Sequence, residues 1–115
     1  MPVFCVNTNL PADKIPTDFC QKTSKIVASA LGKPESYVCV CVNSGLEMCF
    51  GGSNDACAVC VLKSIGAVGG RVNNSHASKL YPHLQQTLGL QGNRIYIEFI
   101  DCPASSMALS GNTFA

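Results

Sequence analysis

The sequence has no tryptophan and little charge, since only 13% of its 115 residues are Asp, Glu, Lys or Arg, against roughly 25% in typical soluble domains. Its eight basic residues are scattered among seven acidic ones, so the clustered basic stripe that binds a phosphate backbone is missing. No apolar run approaches the ~18 residues of a membrane span, and residues 1–7 lack the regions of a signal peptide. We therefore expect synthesis in the cytosol, no nucleic-acid partner and no membrane insertion.

Cysteine is abundant, with eight residues in the chain. Without a signal peptide the chain folds where thiols stay reduced, which predicts mostly free cysteines rather than a disulfide framework. Only His76 and His83 accompany the thiols as nitrogen ligands, and neither stands in a familiar zinc spacing. We expect no metal and no cofactor.

The order of the predicted elements repeats once along a single domain of residues 1–115. β-Branched and apolar runs predict strands at residues 3–9, 37–42, 57–65 and 95–100, with a possible short strand at 47–50. A 3.6-residue apolar spacing predicts helices that end before Gly32 and Gly89. In the second helix Pro82 predicts a kink or a late start, because it lacks a backbone donor.

Two β-α-β units predict an α+β fold with a four-stranded mixed sheet and both helices on one face. Strand 37–42 is apolar on both faces, yet the sequence offers no third helix to cover the second face. Self-association is the simplest way to cover it.

Several motifs resemble the macrophage migration inhibitory factor family of the tautomerase superfamily. They include MPVFCVNTNLP at residues 1–11, LGKP at 31–34, FGGS at 50–53, CAVC at 57–60 and NTFA at 112–115. The resemblance covers the whole chain with essentially no insertions. It implies a homotrimer of β-α-β repeats whose sheets line a central barrel, and keto–enol tautomerase activity on small aromatic keto acids or dopachrome-like substrates.

Pro2 is the candidate catalytic base. Loss of Met1 would expose a secondary amine, and an α-amino group titrates near ~7.7–8.0 in peptides, so burial and a nearby cation leave it neutral near pH 7. Taken alone, proline at this position more often only eases removal of Met1 and starts a strand. The resemblance favours the catalytic interpretation.

The resemblance also implies the substrate-binding residues. Lys33 and the backbone of Ile65 would contact the substrate carboxylate, while Tyr96 and Glu98 would come from a neighbouring subunit. We expect apolar walls from Met107 and Phe114.

Three positions depart from vertebrate members, which have Asn, Val and Trp where this chain has Glu98, Met107 and Leu109. The Glu98 carboxylate would repel an anionic substrate unless a cation offsets it, and loss of the indole removes a stacking surface.

Two other functions remain open. Cys57 and Cys60 form a CxxC motif that suggests a thiol oxidoreductase, but three strand steps separate their Cα atoms by about 10 Å, beyond the ~7 Å limit for a disulfide. The resemblance also implies secretion without a signal peptide and cytokine-like signalling through a cell-surface receptor. The charged residues that the vertebrate cytokine uses for chemokine-receptor contact are here Ala12 and Gly45.

Overall fold

A computed structural model describes residues 1–115 and contains one four-stranded sheet covered by two helices. The main elements are β1 (Pro2–Thr8), α1 (Phe19–Leu31), β2 (Cys39–Asn43), β3 (Ala58–Ser64), α2 (Val72–Leu88) and β4 (Ile95–Asp101). The strand order is β2-β1-β3-β4, in which β1–β2 and β3–β4 are parallel and β1–β3 is antiparallel. The predicted α+β fold with a mixed sheet is confirmed.

The two β-α-β units end their helices in the same way. Gly32 follows α1 with φ 63°, and Gly89 follows α2 with φ 66°, in the left-handed region that glycine adopts at little cost. A short 3-10 turn comes next in each unit, at Glu35–Tyr37 and at Gly92–Arg94. The second strand of each unit follows that turn.

The two faces of the sheet differ in burial. Along β1 the buried residues alternate with half-buried ones, as the two-residue period of a strand requires. Phe4 and Val6 point into the core, where they belong to one cluster with Phe19 of α1 and Leu80 of α2. The other face, which we call the open face, has no helix over it and carries Val3, Cys5 and Asn7 of β1.

The structure corrects two predictions in the helical and loop regions. Residues 47–50 form no strand, and only an isolated bridge joins Phe50 to Ser53. Helix α2 begins at Val72 and contains Pro82, so the late start is wrong. The Asn73 side chain accepts a hydrogen bond from the Gly69 amide at 2.8 Å, which stabilises the first turn.

A C-terminal hairpin was not predicted. Its strands are β5 (Ala108–Leu109) and β6 (Asn112–Thr113), joined by Ser110 and Gly111. Both turn residues have positive φ, 53° and 89°, as a type I′ hairpin turn requires.

Six of the eight cysteines are free, but Cys5 and Cys41 form a disulfide between neighbouring strands. The expectation of mostly free thiols did not anticipate this bond. Neither helix is both long and apolar enough to cross a membrane.

Candidate active site

An apolar cavity of about 280 Å³ lies where three segments of the chain meet. Met1 precedes β1, residues 36–39 lead into β2, and the C-terminal hairpin with Met107 and Phe114 forms the third side. The Phe114 amide is held by the carbonyl oxygens of Ala104 and Met107 at 3.2 and 3.0 Å. The hairpin is therefore anchored as a wall of the cavity.

An ammonium group lies close to the same corner of the sheet. Lys33 follows the C-terminal glycine of α1, and its Nζ donates to the carbonyl oxygen of Ile65 at 3.0 Å. Ile65 directly follows Ser64, which pairs with Pro2 across β1 and β3. The structure thus brings Pro2, Lys33 and Ile65 to one corner of the sheet.

Burial and charge both act on the amino terminus. Burial, and secondarily the positive charge of Lys33, lower the pKa of the terminal amine at Met1 below its ordinary value. Pro2 itself is fully buried. An amine exposed at Pro2 by loss of Met1 would stand in these same surroundings.

Tyr96 and Glu98 lie far from this corner within one chain. Pro2 is level with Ser64 of β3 and Asp101 of β4. Tyr96 lies five residues back along β4 from Asp101, or about 16 Å at ~3.3 Å per residue. Its side chain is 64% exposed and stacks on Phe50 with ring centroids 4.8 Å apart. A single chain does not place these two residues in the cavity.

Sequence reasoning missed part of the cavity wall. Tyr37 lies in the 3-10 turn rather than in a strand, and its ring meets Phe114 edge-to-face at a centroid distance of 6.1 Å. Cys39 also lines the cavity, and so does Leu109, which the sequence indicated only as the position of a lost indole. The useful signal was the proximity of Tyr37 to Lys33 along the chain, just beyond a helix end.

The CxxC cysteines are inaccessible. Cys57 immediately precedes β3, Cys60 lies within it, and both are free and 0% exposed. Burial raises the pKa of the Cys60 thiol to about 12, so its reactive thiolate form is scarce near pH 7. No three His, Cys, Asp or Glu side chains are grouped as ligands for a metal ion.

Known proteins are similar to this chain in sequence and in fold. The family described as "Macrophage migration inhibitory factor (MIF)" matches residues 1–115. A macrophage migration inhibitory factor homolog of Brugia malayi is 60% identical over 114 residues, 99% of each chain. The factor of Mus musculus is 39% identical over the full length of both chains. The solved structure of the Trichinella spiralis factor matches with a TM-score of 0.95 at 39% identity, covering 97% of this chain and 99% of that one. The chain belongs to the macrophage migration inhibitory factor family.

Proposed function

We propose that this protein is a keto–enol tautomerase that uses the amine of Pro2 as its base, after removal of Met1. The observation that supports this most is the position of the terminal amine. It lies at an apolar cavity beside Lys33, and its pKa is lowered by burial and by that cation. A neutral amine near pH 7 is a competent general base.

The proposed reaction moves one proton within the substrate. The Pro2 nitrogen takes a proton from the carbon next to a ketone, and the resulting ammonium returns it to the carbonyl oxygen, which yields the enol. No atom is gained or lost. The Lys33 ammonium binds the substrate carboxylate and favours the developing enolate by its positive charge.

The cavity favours a small aromatic keto acid such as phenylpyruvate, or a dopachrome-like ester. Tyr37, Met107 and Phe114 offer apolar and aromatic surface for a ring, and aromatic pairs contribute about 0.5–1.5 kcal/mol beyond their buried area. Lys33 has one hydrogen-bond partner in the structure, although an ammonium has three donors. A carboxylate can use the others.

We propose that the active assembly is a homotrimer, in which Tyr96 and Glu98 of one subunit complete the cavity of the next. Two observations support it: the open face lacks a cover, and Tyr96 is exposed far from its own Pro2. Light scattering should give a trimer mass at micromolar concentration. A monodisperse monomer would contradict the shared cavity.

The test of the base is the variant Pro2→Gly, with removal of Met1 checked by mass spectrometry. Glycine keeps an amine at the same point but changes its basicity and position. The rate of phenylpyruvate tautomerisation should fall by about the 10²–10⁴-fold that general-base catalysis contributes. Full activity in an intact, processed trimer would show that Pro2 is not the base.

A signalling role is a second candidate, favoured by the names of the relatives, which describe inhibition of macrophage migration. It would require the protein to act outside the cell as well as in the cytoplasm, through a cell-surface receptor. Pro2→Gly protein separates the two roles, because a receptor ligand with a vestigial cavity would keep its effect on macrophage migration.

A further inference from the structure

The loop between β3 and α2, residues 65–71, borders the candidate active site. Its first four residues make no hydrogen bond to other main-chain groups, so side chains hold this part of the loop. Asp101 accepts a hydrogen bond from the Gly66 amide at 2.9 Å. That amide and the Ile65 carbonyl belong to one planar peptide group. Asp101 therefore also restricts the direction of the carbonyl oxygen that binds Lys33.

A second side chain, His76 of α2, holds the loop two residues further on. Its Nε2 lies 2.6 Å from the Ala67 carbonyl oxygen, and Nε2 is the donor because a carbonyl oxygen can only accept. Ala67 has φ 62°, in the left-handed region that costs free energy for a residue with a Cβ. Such a backbone conformation persists only where its surroundings hold it, and His76 supplies the hydrogen bond that does so here.

The other ring nitrogen of His76 indicates why a histidine stands at this place. His76 is only 2% exposed, and its Nδ1 is buried without a partner. A buried acceptor without a partner costs stability. The other buried residues of α2 are Leu80, Leu84 and Leu88, and a leucine at position 76 would avoid that cost. The observation favours a role for the Nε2 donor over a role in packing alone.

We propose that His76 and Asp101 are positioning residues, which hold the loop so that the Ile65 carbonyl keeps the Lys33 ammonium beside the terminal amine. The consequence for catalysis rests on the proposed function, in which Lys33 binds the substrate carboxylate. When the loop is released, the ammonium is free to leave this corner of the sheet. The amine then loses its neighbouring charge, and the carboxylate loses a positioned partner.

These contacts lie on the helix-covered face of the sheet, so a homotrimer that covers the open face leaves them in place. Asp101 is the register partner of Ser64, and cross-strand partners point to the same face. Ser64 stands two residues from Leu62 on β3, and both are fully buried. His76 belongs to the buried face of α2. The assembled protein can therefore be used for the test.

The first measurement follows the protonation of the terminal amine and needs no turnover. The assembled protein, with Met1 removed and its prolines isotope-labelled, is titrated by NMR, and the Pro2 nitrogen resonance gives the amine pKa. In His76→Phe, which keeps a ring but no donor, this pKa should move upward, towards its position in Lys33→Ala, because the cation that lowers it is released. His76→Gln keeps an N–H donor and should recover most of the difference.

The second measurement separates binding of the carboxylate from general stability. In His76→Phe, KM for phenylpyruvate should rise about five-fold, the effect of one lost hydrogen bond, while KM for the uncharged ester should stay the same. A general loss of stability would affect acid and ester alike. When Lys33 is already alanine, His76→Phe should change neither KM nor the amine pKa further, because residues that act through one another are not additive.

His83→Phe is the matched control, since it makes the same replacement on the same helix. The His83 ring stacks on Phe19 at the start of α1, the end of that helix opposite Lys33. The control should leave the amine pKa and both KM values unchanged.

A pair of variants at Asp101, which is exposed, tests the other contact without disturbing the core. Asp101→Ala and Asp101→Asn both remove the charge, but only asparagine keeps an oxygen that can accept from the Gly66 amide. Relative to the asparagine variant, the alanine variant should have a higher amine pKa and a higher KM for the acid.

Three outcomes would overturn the proposal: an unchanged amine pKa in His76→Phe, equal shifts in the presence and absence of Lys33, and identical behaviour of the two Asp101 variants. Because the Asp101 pair leaves the core intact, it decides the question even where His76→Phe does not fold. A wild-type protein without tautomerase activity whose amine still responds as expected would refute the proposed function and leave the positioning role standing.

Discussion

Each β-α-β unit forms an equivalent corner of the sheet. The two corners differ in how many hydrogen bonds their cationic side chain makes to the protein. Each helix ends at a left-handed glycine, and a 3-10 turn ends five residues later, at Tyr37 after Gly32 and at Arg94 after Gly89. A cavity of about 280 Å³ adjoins each turn. We call the first the amine corner and the second the arginine corner.

At the arginine corner the positive charge belongs to Arg94, and the protein's own carbonyl oxygens accept most of its hydrogen bonds. The Arg94 guanidinium makes four hydrogen bonds of 2.6 to 3.3 Å to main-chain carbonyl oxygens, those of Phe50, Ser53, Asp55 and Ala56. It also stands 5.2 Å from the centroid of the Phe50 ring. This cation closes a loop and has little capacity left for a ligand.

At the amine corner the cation is Lys33, whose equivalent after the second helix is the apolar Leu90. Lys33 has a single carbonyl partner, and its charge acts on the terminal amine. The scaffold that the two units share therefore forms a cavity at each corner but does not by itself provide an amine or a cation with free donors. An amine and an ammonium with free donors lie at only one of the two cavities, which is the one that we propose to be catalytic.

Blocking the terminal amine should lower the tautomerase rate more than any other change, because this amine is the proposed base and the arginine corner has no equivalent of it. An alanine inserted between Met1 and Pro2 converts the Pro2 nitrogen into an amide, which is not basic. The tautomerase rate should fall by at least about 10²-fold, measured with phenylpyruvate. An alanine inserted in the exposed stretch 11–14 is the control and should leave the rate unchanged.

Lys33→Ala should reduce kcat/KM by about 10- to 100-fold, the cost of losing a charged hydrogen bond to the carboxylate. The cation also lowers the pKa of the amine, although less than burial does. Its removal raises that pKa, so the pH at which kcat/KM begins to rise should move upward.

Lys22→Ala removes an equally charged but exposed side chain on α1 and should change neither the rate nor the pH profile. A profile that stays fixed in Lys33→Ala would show that Lys33 does not act on the base.

Arg94→Ala tests the other corner and should affect stability more than chemistry. Four carbonyl oxygens lose their donor, and we expect a loss of about 2 kcal/mol in the free energy of unfolding, measured by urea denaturation. Arg94→Lys keeps the charge but not the planar fork of donors, so it should recover only part of the loss. Unchanged stability would mean that the loop closes without the guanidinium.

Glu98→Asn should have the smallest effect and would show whether the second unit contributes to a neighbour's amine corner. Loss of the carboxylate removes repulsion of an anionic keto acid, so KM should fall a few-fold with little change in kcat. The uncharged ester of the same substrate is the control and should bind equally well to both proteins. Equal KM values for the acid would place Glu98 outside the cavity.

Much of the fold could be predicted from the sequence, because each unit has a clear apolar period and a glycine at its helix end. The strands of the C-terminal hairpin were not predictable in this way, since two residues each are too short for a period to show. The predicted strand at 47–50 was wrong, because apolar residues there flank a tight bridge at Phe50 and do not pair with the sheet.

The candidate site was predicted unevenly. The cluster of Pro2, Lys33 and Ile65 followed from the resemblance, and the register of β1 and β3 explains why these residues meet. The sequence pattern predicts Tyr37 in a strand, because its aromatic character suits a strand as well as a cavity wall, whereas the structure has it in a 3-10 turn. The Cys5–Cys41 bond depends on the register of two strands, which composition and spacing do not reveal.

Met1 and Phe114, near the two ends of the sequence, line the same cavity, and this restricts how the protein can be produced and labelled. An N-terminal affinity tag would acylate the amine and crowd the cavity, while a C-terminal fusion would pull on the hairpin that carries Phe114. Under the proposed mechanism, a tag removed to leave one extra residue would give a folded protein in which the Pro2 nitrogen is an amide and not a base. Fluorophores and epitopes belong instead in the exposed stretch 11–14, which does not line this cavity.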